Sequence, residues 1–103
     1  MKRSEQREWV FKLIYEDSIN RIEDVEKTLE NHDLTGEEFI KESIISYNEN
    51  YEAIEETLKN TLNNRYKRLS RVEKAILFLS INEMRYMDIP VSVSINEAVE
   101  LTK

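Results

Sequence analysis

With 103 residues, 40% of them hydrophobic and 35% charged, the chain is long enough for one domain with a core and too apolar for a disordered tail. The absence of cysteine excludes disulfides and thiol chemistry. No apolar run reaches the ~18 residues of a membrane span, and the N-terminus lacks a signal core, so the expected compartment is the cytoplasm. A net charge of −6 argues against indiscriminate nucleic-acid binding, and a single Gly and a single Pro amid abundant Glu, Lys, Leu and Ile favour an all-α fold.

The first helix is expected from Ser4 to Asp17, with Ser4 as N-cap and Glu5 and Glu8 in a first turn whose dipole favours acids. Trp9, Val10, Leu13 and Ile14 form an apolar stripe at helical spacing, widened by Phe11 and Tyr15. A second helix is expected from Ser18 to Asn31 on the spacing of Ile19, Ile22, Val25 and Leu29, followed by the polar loop Asn31-His32-Asp33. Thr35-Gly36-Glu37-Glu38 reads as a capping box. Behind it Ile40, Ile44, Tyr47, Tyr51, Ile54, Leu58 and Leu62 recur every three or four residues, predicting one long helix or two nearly collinear ones from Glu37 to Leu62. Asn48, Asn50, Asn60, Asn63 and Asn64 are poor helix formers and mark possible kinks or ends.

After the connector Asn63–Lys67, Ser70-Arg71-Val72-Glu73 reads as a second capping box. The helix it opens, Arg71 to Met87, carries Ile76, Leu77, Phe78, Leu79 and Ile81 around most of its circumference, the pattern of a buried central helix. Pro90 ends this segment by removing an amide proton and forcing Ile89 to be extended. Ser94-Ile95-Asn96-Glu97 is a third capping box, opening a last helix with Ile95, Ala98, Val99 and Leu101.

Charge is unevenly spread. Residues 16–56 hold fourteen acids against three bases, net −11, while residues 65–74 carry Arg65, Lys67, Arg68, Arg71 and Lys74 against Glu73, net +4. Lys2, Arg3 and Arg7 stand against Glu5 at the N-terminus. Local basic clusters of this kind can bind phosphate even on an acidic protein.

Catalytic patterns are missing. The lone His32 has no cysteine or second histidine to complete a metal site or activate a nucleophile, and Gly36 alone cannot build a phosphate loop. The paired acids Glu37-Glu38 and Glu55-Glu56 read as solvated helix faces. No enzyme activity and no cofactor are expected.

Several strings resemble the NusB family of bacterial transcription antitermination factors. They are Arg7-Glu8 before Trp9-Val10-Phe11-Lys12-Leu13-Ile14-Tyr15, and the Arg68-Leu69 pair before Val72-Glu73-Lys74-Ala75-Ile76-Leu77. Asn82-Glu83, Ile89-Pro90 and Ser94-Ile95-Asn96-Glu97-Ala98-Val99-Glu100-Leu101 complete the likeness, with a less specific match over 38–45. The resemblance implies two small helical bundles packed together, forming one domain over 1–103. It also implies binding of boxA RNA with NusE, a small-subunit ribosomal protein, within the transcription elongation complex, notably on ribosomal RNA operons. Its RNA-contact positions fall on Lys2, Arg3 and Arg7, with Tyr15 as a stacking or core residue. Glu73 falls at the partner surface, and Asn82 and Glu83 at structural positions, with Arg85 or Asn96 as expected partners for the Glu83 carboxylate.

The family's N-terminus is often denser in arginine than this one, where Glu5 and Gln6 intervene. The family also continues past Leu101 into a further helix, so the last helix or helices are expected to be missing here and the uncovered apolar surface, including Ile95, Val99 and Leu101, to drive self-association. Two alternatives stay open. One is a protein-binding helical scaffold without RNA contact; the other is the accessory domain of a ribosomal RNA cytosine methyltransferase.

Overall fold

The computed structural model describes residues 1–87 and 89. Five α-helices and one short 3-10 helix make up the described chain: α1 (Arg3–Ile19), α2 (Val25–Asn31), α3 (Glu38–Glu49), α4 (Tyr51–Leu62), the 3-10 helix (Asn63–Arg68) and α5 (Arg71–Tyr86). There is no strand among the described residues, so the fold is all-α as expected. The last expected helix, its capping box, Pro90 and the apolar set Ile95, Val99 and Leu101 lie outside the described residues.

Helix α1 buries Val10, Leu13 and Ile14 of the predicted stripe, leaves Trp9 partly buried, and packs this face against both α3 and α5. Its start differs from the expectation: Lys2 rather than Ser4 is the N-cap, with no side-chain cap bond. The second helix begins seven residues later than Ser18, at Val25, capped by Asp24, whose carboxylate accepts from the Lys27 backbone amide at 3.2 Å. The physical reason lies in Asp17. Its buried carboxylate accepts the Ile22 backbone amide at 2.7 Å, the Arg21 guanidinium and the Tyr47 hydroxyl. That side chain turns the backbone out of helix and points Ile19 to solvent while Ile22 stays buried. His32, in the loop after α2, approaches Glu16 at 3.1 Å and rests against the Trp9 ring.

The Thr35 capping box does not form; Glu37 is the N-cap of α3, and the preceding turn is held by Glu37 N donating to Leu34 O at 3.0 Å. The long apolar pattern behaves as predicted. Ile40, Ile44, Tyr47, Ile54 and Leu58 are buried, Tyr51 and Leu62 pack partly, and the break falls at Asn50. Backbone bonds continue through it, from Asn50 N to Ser46 O at 3.0 Å and from Ile54 N to Asn50 O at 2.9 Å, so α3 and α4 form one bent rod. Asn63 takes a positive φ of 52° where α4 ends and the 3-10 helix begins.

The Ser70 capping box is present in full. Ser70 Oγ accepts from Glu73 N at 3.1 Å, and Glu73 Oε1 accepts from Ser70 N at 2.9 Å. Helix α5 behind it contacts α1, α3 and α4, confirming its central place, and buries Ala75, Ile76, Phe78 and Leu79. Phe78 stacks on Tyr51 and meets Tyr47 edge-on, tying α5 to the bent rod. Ser70→Ala should lower stability by about 1 kcal/mol, as read by urea unfolding; a loss under ~0.3 kcal/mol would mean that the cap is replaced by solvent.

Candidate functional site

Lys2 and Arg3 open α1 on an exposed surface, and among the described residues no side chain caps the amides of its first turn. The Arg3 guanidinium lies over the Phe39 ring, 3.9 Å from its centroid, and among the described residues it makes no ion pair. Arg7 is one turn further on, 5.4 Å from the same ring, but its side chain is interior. Only 6% of Arg7 is exposed, and its Nε donates to Glu83 Oε2 at 2.8 Å. Arg7, expected as an RNA contact, is thus an interior side chain: its guanidinium makes a core ion pair between α1 and α5, because a carboxylate as buried as Glu83, 1% exposed, requires a charged or hydrogen-bonding partner. Of the two expected partners, Arg85 is instead on the surface, donating to Thr57 Oγ1 at 3.0 Å, and Asn96 lies outside the described residues.

Asn82, beside Glu83, carries the expected helix-to-helix role. Its Nδ2 donates to the Ser43 carbonyl at 3.1 Å and its Oδ1 accepts from Ser46 Oγ at 2.8 Å, pinning α5 to α3. Tyr15 is half-buried, packed against the core with its ring 6.4 Å from that of Phe11.

Glu73 is exposed at the start of α5, and hydrogen bonding from the Ser70 backbone amide, then from its side chain, holds its carboxyl below the ordinary value. A shallow apolar groove of Leu69, Ile76 and Leu77 lies beside it, with Val72 exposed nearby. The combination offers a carboxylate at the edge of an apolar patch.

The two basic islands do not merge. Arg7 faces Glu83, whereas Ile14 and Ser18 share a cleft with Arg71, Lys74 and Ala75, so α1 and α5 run antiparallel. The N-terminal bases and the 65–74 island therefore lie at opposite ends of this pair, about 22 Å apart along α1 at the ordinary helical rise. At the second end Lys74 sits over the Tyr66 ring, 4.7 Å from its centroid, and burial pushes the Tyr66 hydroxyl up to about 12. Neither the Asp17 hub nor the seating of Arg3 on Phe39 was visible in the spacing. An Asp followed by Arg at i+4 was the only local sign of the first.

Among the described residues no group of acids and histidines could hold a metal ion, and no helix is long and apolar enough to cross a membrane. The sequence model of the NusB family matches residues 4–103. A transcription antitermination protein NusB of Thermoanaerobacter sp. (strain X514) is 39% identical over 109 aligned positions, covering 100% of this chain and 77% of the relative. Proteins of the same name from Bacillus cereus (strain B4264) and Bacillus thuringiensis (strain Al Hakam) are 37% and 36% identical, again over the whole chain and 83% of each relative. No solved structure matches. The all-helical architecture and the similarity along the full length agree: the chain belongs to the NusB family, a non-enzymatic family of transcription antitermination factors.

Proposed function

We propose that this chain is a single-domain, cytoplasmic transcription antitermination factor that binds boxA-type RNA together with NusE in the elongation complex, notably on ribosomal RNA operons. The observation that carries the reading is the family match over residues 4–103. Its geometry offers two surfaces for the two partners. Lys2 and Arg3 present cations beside the uncapped first turn of α1, where backbone amides favour phosphate. Tyr15, half-buried on α1, adds an aromatic edge. Arg7 supports this surface from within, by fixing α1 to α5 through Glu83. At the opposite end Glu73, flanked by Leu69, Ile76 and Leu77, suits a basic protein that also offers an apolar side chain, as the ribosomal partner would.

The reading is tested by titrating a boxA-type RNA and a scrambled control, with and without NusE, at two salt concentrations. Sequence-preferring binding that NusE enhances is the expected result. Lys2→Ala and Arg3→Ala should each weaken RNA binding across sequences and reduce the salt slope by about one for each phosphate no longer neutralised. The acidic stretch 16–56 favours a second reading, a scaffold for basic proteins; binding of NusE with no RNA binding at moderate salt would select it.

A further inference from the structure

We infer that Phe39 is a positioning residue for RNA capture, its ring holding the Arg3 guanidinium flat and ready for phosphate. The inference rests on the reading of Arg3 as an RNA contact. Phe39 is in the first turn of α3, half-buried and packed against the core, so its ring has little freedom. Arg3 is exposed and rooted in the first turn of α1, a different element, yet its guanidinium lies 3.9 Å from the Phe39 centroid. The same ring is approached by Arg7 at 5.4 Å, and Arg7 is anchored at 2.8 Å to Glu83. A line of contacts thus runs from the buried carboxylate through Arg7 and Phe39 to the surface arginine.

The choice of an aromatic support matters because carboxylates are close at hand. Glu37 and Glu38 immediately precede Phe39 in sequence, and Glu37 already accepts from Gln6 Nε2 of α1 at 3.0 Å. An arginine paired with either acid would lose much of its charge and several donors. A guanidinium stacked on a ring keeps its full charge and leaves its N–H edge outward, the geometry that engages phosphate oxygens in pairs. Stacking also restricts a long side chain before RNA arrives, so less of its freedom is lost on binding.

The test is a double-mutant cycle on the full chain, with a boxA-type single-stranded RNA and its scrambled control as probes. Arg3→Ala, Phe39→Leu, the double variant and Phe39→Tyr are compared at two salt concentrations, each checked for folding by thermal melting. Arg3→Ala and Phe39→Leu should each weaken binding by about two- to ten-fold. The double should be no weaker than Arg3→Ala, and Phe39→Tyr, which keeps the ring, should bind as the parent. Phe39→Met replaces leucine if that variant fails to fold. Parent-like binding by Phe39→Leu, or losses that add independently in the double, would overturn the inference while leaving Arg3 an RNA contact. Unchanged binding by Arg3→Ala would instead remove the underlying reading, and the inference with it.

Discussion

Replacing Glu83 by alanine should cost about 3–5 kcal/mol, because it strips a buried guanidinium of a carboxylate it was desolvated to meet. The side chains of Arg7 and Glu83 are 8% and 2% exposed, so solvent cannot take over the role. Against a total stability of about 5–15 kcal/mol for a domain of this kind, the loss approaches the unfolding threshold. Urea unfolding of the parent, Glu83→Ala and the double variant Arg7→Met/Glu83→Leu measures it. The double should be markedly less damaged than the single, since two apolar side chains have no charge to satisfy. A loss below ~1 kcal/mol in Glu83→Ala would show that the pair is not held in the interior.

Asp17→Ala should rank second, at about 2–5 kcal/mol, because the Tyr47 hydroxyl and the Ile22 amide would both be left buried without an acceptor. Asp17 and Tyr47 are each 1% exposed, and Ile22 is buried as well. Tyr47→Phe removes one donor and should cost less; calorimetry of the two singles and their double would show coupling if they share one network. The same contacts bear on alkaline stability. Burial first, then the Asp17 hydrogen bond, pushes the Tyr47 phenol far above its ordinary value. A raised phenol favours folding while the unfolded tyrosine is neutral, and the benefit drains away above pH ~10, where the unfolded chain ionises and the folded one does not. Stability should therefore fall beyond that pH, less steeply in Tyr47→Phe; identical slopes would contradict the burial.

These two clusters also mark the boundary of what the sequence conveys. Local signals translated well. Ser70 and Glu73 form their reciprocal cap, and the spacing from Ile40 to Leu62 foretold the buried face shared by α3 and α4, whose break at Asn50 falls on one of the asparagines marked as possible kinks or ends. Periodicity misled at Ile19 and Ile22, which share a helical spacing but not a helix, because the competing hydrogen bonds of Asp17 are a tertiary event involving Tyr47, thirty residues away. Thr35 had the composition of a capping box, but the turn held by Leu34 O moved the helix start to Glu38. On the candidate surface, the family resemblance points to Lys2, Arg3, Arg7 and Glu73, yet residue types could not tell an exposed arginine from an interior one. Arg3 and Arg7 lie one turn apart, and only the position of Glu83, seventy-six residues on, separates their roles.

That span imposes an order on assembly. Among the described helices α1 is synthesised first, and it packs against α5, the last of them. While the chain is still being made, α1 can lean on α3, but the apolar face meant for α5 stays wet and Arg7 waits for its acid. At a synthesis rate of about 5–20 residues per second, that interval lasts several seconds. Contact between α1 and α5 therefore closes late, and the aggregation-prone period of the α1 face lasts until the Arg71–Tyr86 helix is available.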